Sequence, residues 1–197
     1  MIAIFDYGAG NLRSVQNTLA EIGATYTLTR DSDGLRAASK IILPGVGHFG
    51  QMMRALDTLG VRRTLLERIA AGTPFLGICL GLQALLTSSE EAADAPGLGL
   101  YPGLVRRFPV EARVPHMGWN QLESKAPSKL LANLEVAPYV YFAHSYYVPE
   151  NSATAASCTY TVPYTAVLED RNVFGVQFHP EKSGPVGLKI VRNFLEL

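Results

Sequence analysis

The sequence predicts an α/β fold: a mixed, mainly parallel sheet flanked by helices, with an antiparallel strand region in the second half. Three observations predict it. Short apolar runs, such as residues 1–5 and 40–43, have the continuous hydrophobic character of strands buried on both faces. Segments with apolar residues at helical spacing alternate with these runs through the first half. From Pro96 the composition changes, and β-prone stretches follow one another until a last helical segment.

The elements follow in order. Residues 1–5 read as a buried strand that ends in Asp6-Tyr7-Gly8-Ala9-Gly10-Asn11. Leu12, Val15, Leu19 and Ile22 then mark one face of a helix, and Gly23 is its expected C-cap. The Gly-x-Gly loop lacks the third glycine of a dinucleotide fingerprint, so a tight turn is the better reading of it. Residues 25–29 alternate as a strand. Residues 31–40 are polar and read as a loop with a short helical turn. The strand at 40–43 runs into Pro44-Gly45-Val46-Gly47, where glycines let backbone N–H groups turn toward a ligand or simply make a turn. Met52, Met53 and Leu56, then Leu65, Leu66 and Ile69, are expected helix core.

Residues 72–83 read as a buried strand, a sharp turn at Cys79 and a helix continuing to Leu86. Glu90 and Glu91 are expected as a charged pair at that helix's end. Residues 97–103 read as loop and 104–108 as a short strand. Trp119 falls in a non-helical stretch, where it is either core or an interface anchor. Residues 139–143, 153–161, 164–168 and 173–178 read as strands, the middle two split by Val162-Pro163. Residues 186–197 close as a helix with Leu188, Val191 and Leu195 on one face.

The 197 residues predict one domain, 1–197, with no internal repeat or linker. Lys+Arg and Asp+Glu are 17 each, a balance that argues against broad nucleic-acid binding. The two cysteines, Cys79 and Cys158, form no Cys-x-x-Cys pair, so neither a zinc site nor a disulfide framework is expected. The chain opens on a strand, with no leader and no apolar run long enough for a bilayer, which predicts a reducing, cytoplasmic setting.

The chemistry centres on Gly77-Ile78-Cys79-Leu80-Gly81, the cysteine form of a nucleophile elbow. Small flanking residues let such a turn form, and a following helix N-terminus favours the thiolate. A buried structural cysteine is the alternative. A cysteine nucleophile needs a base and an orienter for that base. Of His48, His116, His144 and His179, only His179 follows a buried strand and has a carboxylate, Glu181, two residues on. In an extended stretch those two share a face, so Glu181 can hold the His179 Nδ1–H.

Together with Gln177-Phe178-His179-Pro180-Glu181, the elbow resembles the class I, triad-type glutamine amidotransferases, whose fold is flavodoxin-like. The opening Asp6–Asn11 segment, Pro44-Gly45-Val46-Gly47, Pro115-His116-Met117-Gly118-Trp119-Asn120 and Lys182-Ser183 are similar, within that family, to the glutaminase subunits of imidazole glycerol phosphate synthase. One departure is that Tyr160-Thr161-Val162-Pro163-Tyr164 lacks a glycine often found after that tyrosine.

The resemblance implies that Cys79 attacks glutamine with His179 as base and Glu181 as its orienter. It implies an oxyanion site at Val46, Gly47 and the Leu80 N–H, with a Val46–Gly47 peptide that has to turn before its N–H points inward. It places Gly47, Gln83, Glu91, Ser145 and Tyr146 around L-glutamine. His144, at the end of the strand that starts at Tyr139, is the competing general base, and an ordinary pocket or interface residue is the better reading of it. It implies no cofactor and no metal. No synthase domain follows Leu197, so the acceptor of the ammonia is expected on another chain, a (β/α)₈-barrel cyclase in a heterodimer. Tyr7, Gly8, Gly10, Asn11, Trp119, Asn120 and Lys182 are its expected contacts. The rival expectations are a glutaminase for anthranilate or pyridoxal phosphate synthesis, a cysteine hydrolase of γ-glutamyl bonds, and a catalytically dead binding module of the same fold.

Overall fold

The computed structural model describes residues 1–8 and 12–197. Gly10 and Asn11, two of the expected partner contacts, lie outside the described residues. The first half alternates as expected: β1 (Ile2–Phe5), α1 (Leu12–Ile22), β2 (Tyr26–Thr29), α2 (Ser32–Ala37), β3 (Lys40–Gly45), α3 (Phe49–Thr58), α4 (Arg62–Ala70), β4 (Phe75–Cys79) and α5 (Leu80–Gln83). Short strands follow: β5 (Leu86–Ser89), β6 (Tyr101–Arg107), β7 (His116–Gln121), β8 (Glu123–Ser124), β9 (Tyr139–His144) and β10 (Tyr146–Tyr147). The chain ends with β11 (Thr154–Tyr160), β12 (Val162–Asp170), β13 (Val173–Val176), a 3₁₀ turn at Pro180–Lys182, and α6 (Gly184–Leu195).

Eight strands form the main sheet in the order β2-β1-β3-β4-β13-β12-β11-β8. The first five run parallel and the last three are added antiparallel. Alternate residues of the central strands feed two cores. Phe5, Leu43 and Phe75 pack under α2, α3 and α4 on one face. Ile4, Ile42, Leu76 and Ile78 pack under α1, α6 and the β7–β9 ribbon on the other. The register Gly45↔Cys79 and Val176↔Ile78 brings the C-terminal ends of β3, β4 and β13 to one edge, where open α/β sheets place their ligands.

Several local expectations are corrected. Residues 32–37 form a helix, α2, capped by the Asp31 carboxylate accepting from the Gly34 N–H at 2.8 Å. The helix after Cys79 stops at Gln83 instead of running to Leu86. Leu86 starts a strand paired in parallel with β6, while the Ala84 and Leu85 carbonyls accept from Leu98, Leu100 and Tyr101. Glu90 and Glu91 therefore follow a strand, not a helix.

The strand region 153–168 is broken at Thr161 and not at Val162-Pro163, because Tyr160 pairs with Val162 across a single turning residue. Thr161 has φ 61°, a left-handed conformation that glycine adopts without strain, at the point where the family glycine is missing. In α6 the buried face is Gly187, Ile190, Val191 and Phe194, with Leu188 and Leu195 at its border. Trp119 is exposed on β7, edge-on to Tyr141, which removes the core reading. Cys158 is fully buried in β11, and burial pushes its thiol up to about 11. Among the described residues no helix is long and apolar enough to cross a membrane.

Candidate active site

The site begins at the end of β4. Cys79 has φ 54° and ψ −104°, so the chain reverses sharply between β4 and α5. Three glycines make room for the reversal. A Cβ on Gly81 would strike the Leu43 carbonyl oxygen, and one on Gly77 would strike the Gly81 carbonyl. One on Gly45 would sit 2.8 Å from the Leu80 Cβ. The expectation from the Gly-x-Cys-x-Gly spacing thus has a physical basis: α5 lies against β3 and β4 at backbone contact. That helix is a single turn, so the field it lends Cys79 is that of a few unpaired amides and not of a long macrodipole.

His179 is delivered just past β13. Its N–H donates to the Tyr141 carbonyl at 2.9 Å, and its carbonyl accepts from the Ser183 hydroxyl at 2.7 Å. The same Ser183 oxygen accepts from the Tyr141 N–H at 2.9 Å, so the histidine itself and Ser183, four residues on, are tied to β9. The His179 Nδ1 lies 2.8 Å from a Glu181 carboxylate oxygen, both side chains buried. The pair forms by a different route from the one predicted. Glu181 sits in the 3₁₀ turn and reaches back to the ring, instead of sharing a strand face with it.

Burial alone, the largest single influence on His179, disfavours its charged form. The adjacent Cys79 sulfur, by charge and by hydrogen bond, and the Glu181 carboxylate outweigh it, and the imidazole is raised well above its ordinary value. The arrangement therefore favours the protonated imidazolium of His179 beside the Cys79 sulfur.

A cavity of about 220 Å³ opens at this edge. Its lining brings together Cys79 and every residue expected at the oxyanion and substrate positions: Val46, Gly47, Leu80, Gln83, Glu91, Ser145 and Tyr146. Leu80 opens α5, so its N–H is one of that helix's free amides. A Glu91 oxygen accepts from the Phe49 N–H at 2.7 Å and so caps α3 from outside the helix. The Gln83 amide nitrogen donates to the Tyr146 carbonyl at 2.8 Å and to the Gln177 side-chain oxygen at 3.2 Å.

Gln177 is the residue that sequence reasoning left unassigned. It is fully buried, and its amide donates to Cys79 Sγ at 3.6 Å. The one signal for it was a polar side chain in the otherwise apolar run 173–178.

The other histidines have separate work. His48 Nδ1 accepts from the Gly50 N–H and caps α3. His144 lines the cavity, but its Nδ1–H donates to the Tyr146 carbonyl at 2.8 Å, and its buried Nε2 has no partner among the described residues. Burial holds His144 down to about 3 and His116 down to about 4, so both are neutral at physiological pH.

Among the expected partner contacts, Trp119 and Lys182 are at the surface and both lie against Tyr141, the Lys182 ammonium 5.8 Å over its ring. The Asn120 amide donates to the Thr159 carbonyl. Gly8 is exposed with φ 91°. Tyr7 is different: its side chain is buried and its hydroxyl is bonded to the Val46 backbone. Its side chain is turned into the protein and away from a partner surface.

The profile of the class-I glutamine amidotransferase family matches residues 3–197. The imidazole glycerol phosphate synthase subunit HisH of Methanothermobacter thermautotrophicus is 52% identical over 198 residues, covering 100% of this chain and 98% of the relative. The subunit of the same name from Geobacter sulfurreducens is 47% identical over 205 residues, with the same coverage of 100% and 98%. Among solved structures, a glutamine amidotransferase matches with a TM-score of 0.78 at 18% identity, covering 99% of this chain and 97% of that one. The PurLQS structure from Thermotoga maritima matches with a TM-score of 0.77 at 21% identity and the same coverage. These two likenesses are likenesses of fold.

Proposed function

The chain belongs to the class-I glutamine amidotransferase family and, within it, to the glutaminase subunits of imidazole glycerol phosphate synthase, and from that membership we propose how its residues act. Residues 1–197 work as one amidotransferase domain. Cys79 Sγ attacks the side-chain carbonyl carbon of L-glutamine. His179 holds the thiol proton and passes it to the departing nitrogen, which leaves as ammonia. A glutamyl thioester remains on Cys79. Water, deprotonated by His179, attacks the thioester, and glutamate and the free thiol are restored. Glu181 keeps the His179 Nδ1–H in place and stabilises the imidazolium, at the observed 2.8 Å. The Leu80 N–H and the Val46–Gly47 peptide hold the oxyanion.

The substrate contacts sharpen from the hydrogen bonds in place. Both N–H bonds of the Gln83 amide are committed, so its oxygen is the group left to face glutamine. That oxygen accepts from an N–H of the substrate and cannot serve its carboxylate. One Glu91 oxygen is taken by the Phe49 N–H, which leaves the other to accept from the α-ammonium. Ser145 and Tyr146 complete the wall. The ammonia passes to a (β/α)₈-barrel cyclase that binds as the second subunit of a heterodimer. There it is used with a phosphoribulosyl aminoimidazole carboxamide ribonucleotide to make imidazole glycerol phosphate, and aminoimidazole carboxamide ribonucleotide is released as the second product. Trp119, Asn120 and Lys182 are the contacts on this side.

The observation that carries the reading is the buried His179–Glu181 pair against Cys79, inside the cavity that also holds the expected substrate residues. The test is glutamate release from glutamine, with and without the barrel cyclase and its ribonucleotide. Release should be slow alone and rise with both added. His179→Asn should lower it by more than about a thousandfold, whereas His144→Asn should stay within about tenfold of wild type. Equal turnover with and without the cyclase would instead favour a free-standing γ-glutamyl hydrolase.

A further inference from the structure

Tyr7 follows β1, and its ring is buried in the core shared with Phe5, Leu43, Phe49 and Leu80. Its hydroxyl donates to the Val46 carbonyl oxygen at 3.0 Å and accepts from the Val46 N–H at 3.2 Å. Both backbone groups of Val46 thus end on one oxygen from a residue 39 positions away. Val46 lies past the last residue of β3, so the sheet does not fix it. Gly47, at φ 100°, adds no side-chain restraint to the peptide between them.

A trans peptide carries its C=O and N–H on opposite sides. With the Val46 carbonyl turned to Tyr7, the Gly47 N–H is turned away from Tyr7. In the sheet order, β1 and β4 flank β3 on opposite sides; Tyr7 follows the first and Cys79 ends the second. An N–H turned from Tyr7 therefore faces the flank of Cys79, and Val46, Gly47 and Cys79 line one cavity, so the peptide already stands in the orientation into which the resemblance expected it to turn. Burial pushes the Tyr7 hydroxyl up to about 12, so it stays protonated and able to donate at neutral pH.

We propose that Tyr7 is a positioning residue for glutamine hydrolysis: its hydroxyl latches the Val46–Gly47 peptide in the orientation that offers the Gly47 N–H to the oxyanion. The inference rests on the glutaminase reading above. It moves Tyr7 from the partner surface, where the sequence had placed it, to the support of the oxyanion site.

Tyr7→Phe keeps the buried ring and removes both hydrogen bonds. With the barrel cyclase present, kcat for glutamate release should fall about tenfold to a hundredfold, the effect of two lost hydrogen bonds on a peptide with two orientations. KM for glutamine should stay within about threefold, since the lost interaction is made in the transition state. Alkylation of Cys79 by iodoacetamide, a displacement at a saturated carbon that forms no oxyanion, should keep its wild-type rate. An unchanged or raised kcat overturns the proposal. So does an alkylation rate that falls with kcat, because the defect would then lie in the fold or in the Cys79–His179 pair.

Amide hydrogen exchange gives a second reading that needs no turnover. The Val46 amide should exchange faster in Tyr7→Phe than in wild type, with the Ile42 and Leu43 amides unchanged. Equal Val46 exchange in the two proteins also overturns the proposal. Should the wild-type chain release no glutamate in any setting, the glutaminase reading fails, and Val46 exchange still decides whether the latch exists.

Discussion

Cys79 is held at φ 54° and ψ −104°. For an L-residue this is a sparsely populated region, costing on the order of 1–3 kcal/mol. Its mirror image, near φ −54° and ψ 104°, is an ordinary extended conformation, so achiral glycine reaches either without strain. Two inactive variants should therefore rank in an unusual order. Cys79→Gly should be more stable than Cys79→Ala by about 1 kcal/mol, whereas alanine normally wins by about 0.5–1 kcal/mol. Urea unfolding of the two proteins measures the difference, and an alanine variant that is the more stable would remove the claim of strain. At this scale the sequence disclosed the groups whose partners lie close along the chain. His179 and Glu181 are two residues apart, and the glycines flank Cys79 directly. Gln177 and Tyr7 escaped because their partners are 98 and 39 residues away, and nothing local says which way a polar side chain at the end of a buried strand points.

The contact of β3, β4 and α5 is a matter of elements. Gly81 lets α5 rest on β3, and its missing Cβ leaves room for the Leu43 carbonyl oxygen. A backbone carbonyl in a central strand cannot swing aside as a side chain would. Gly81→Ala should lower the unfolding free energy by about 1–3 kcal/mol, the usual range for overpacking. It should also displace Cys79, so that turnover falls even in the fraction that remains folded. A urea melt and an assay on the same sample check both, and a fully stable, fully active variant would count against the close packing.

The alternation of strands and helices was legible from hydrophobic period alone. The end of α5 was not, because Leu85 and Leu86 suit a helix and a buried strand equally well, and the deciding partners are the amides of Leu98 and Tyr101. Pro163 misled in the opposite direction. β12 pairs with β13 only over Val167–Asp170, so Pro163 lies where that flank carries no β13 pairing for a missing N–H to break.

For the molecule as a whole, the buried histidines set a pH window. His116 and His144 are depressed to about 4 and about 3 by burial. The unfolded chain takes up their protons below about pH 6.5, and the folded chain does not. The stability they contribute is complete above that pH and is lost as pH falls toward 4, at up to about 1.4 kcal/mol per pH unit for each histidine. His179 has the opposite sign. Its raised value in the folded state contributes stability that is complete below about pH 6.5 and is lost as pH rises from there through the folded-state value of about 10. Stability should therefore peak near neutrality. Unfolding free energies measured by urea between pH 4 and 9 test this. In His144→Asn the acid limb should be shallower by up to one proton's slope, and an unchanged limb would mean that His144 titrates normally.

The two thiols of the chain stand in different positions. Cys79 opens into the cavity, while Cys158 is sealed in β11 with its thiol pushed up to about 11. The folded molecule thus shows a solvent-borne thiol reagent one sulfur and hides the other. Counting equivalents consumed before and after unfolding turns the chain into its own standard: the folded count reports competent sites, half of the total after unfolding reports molecules, and their ratio grades a preparation without knowledge of its concentration.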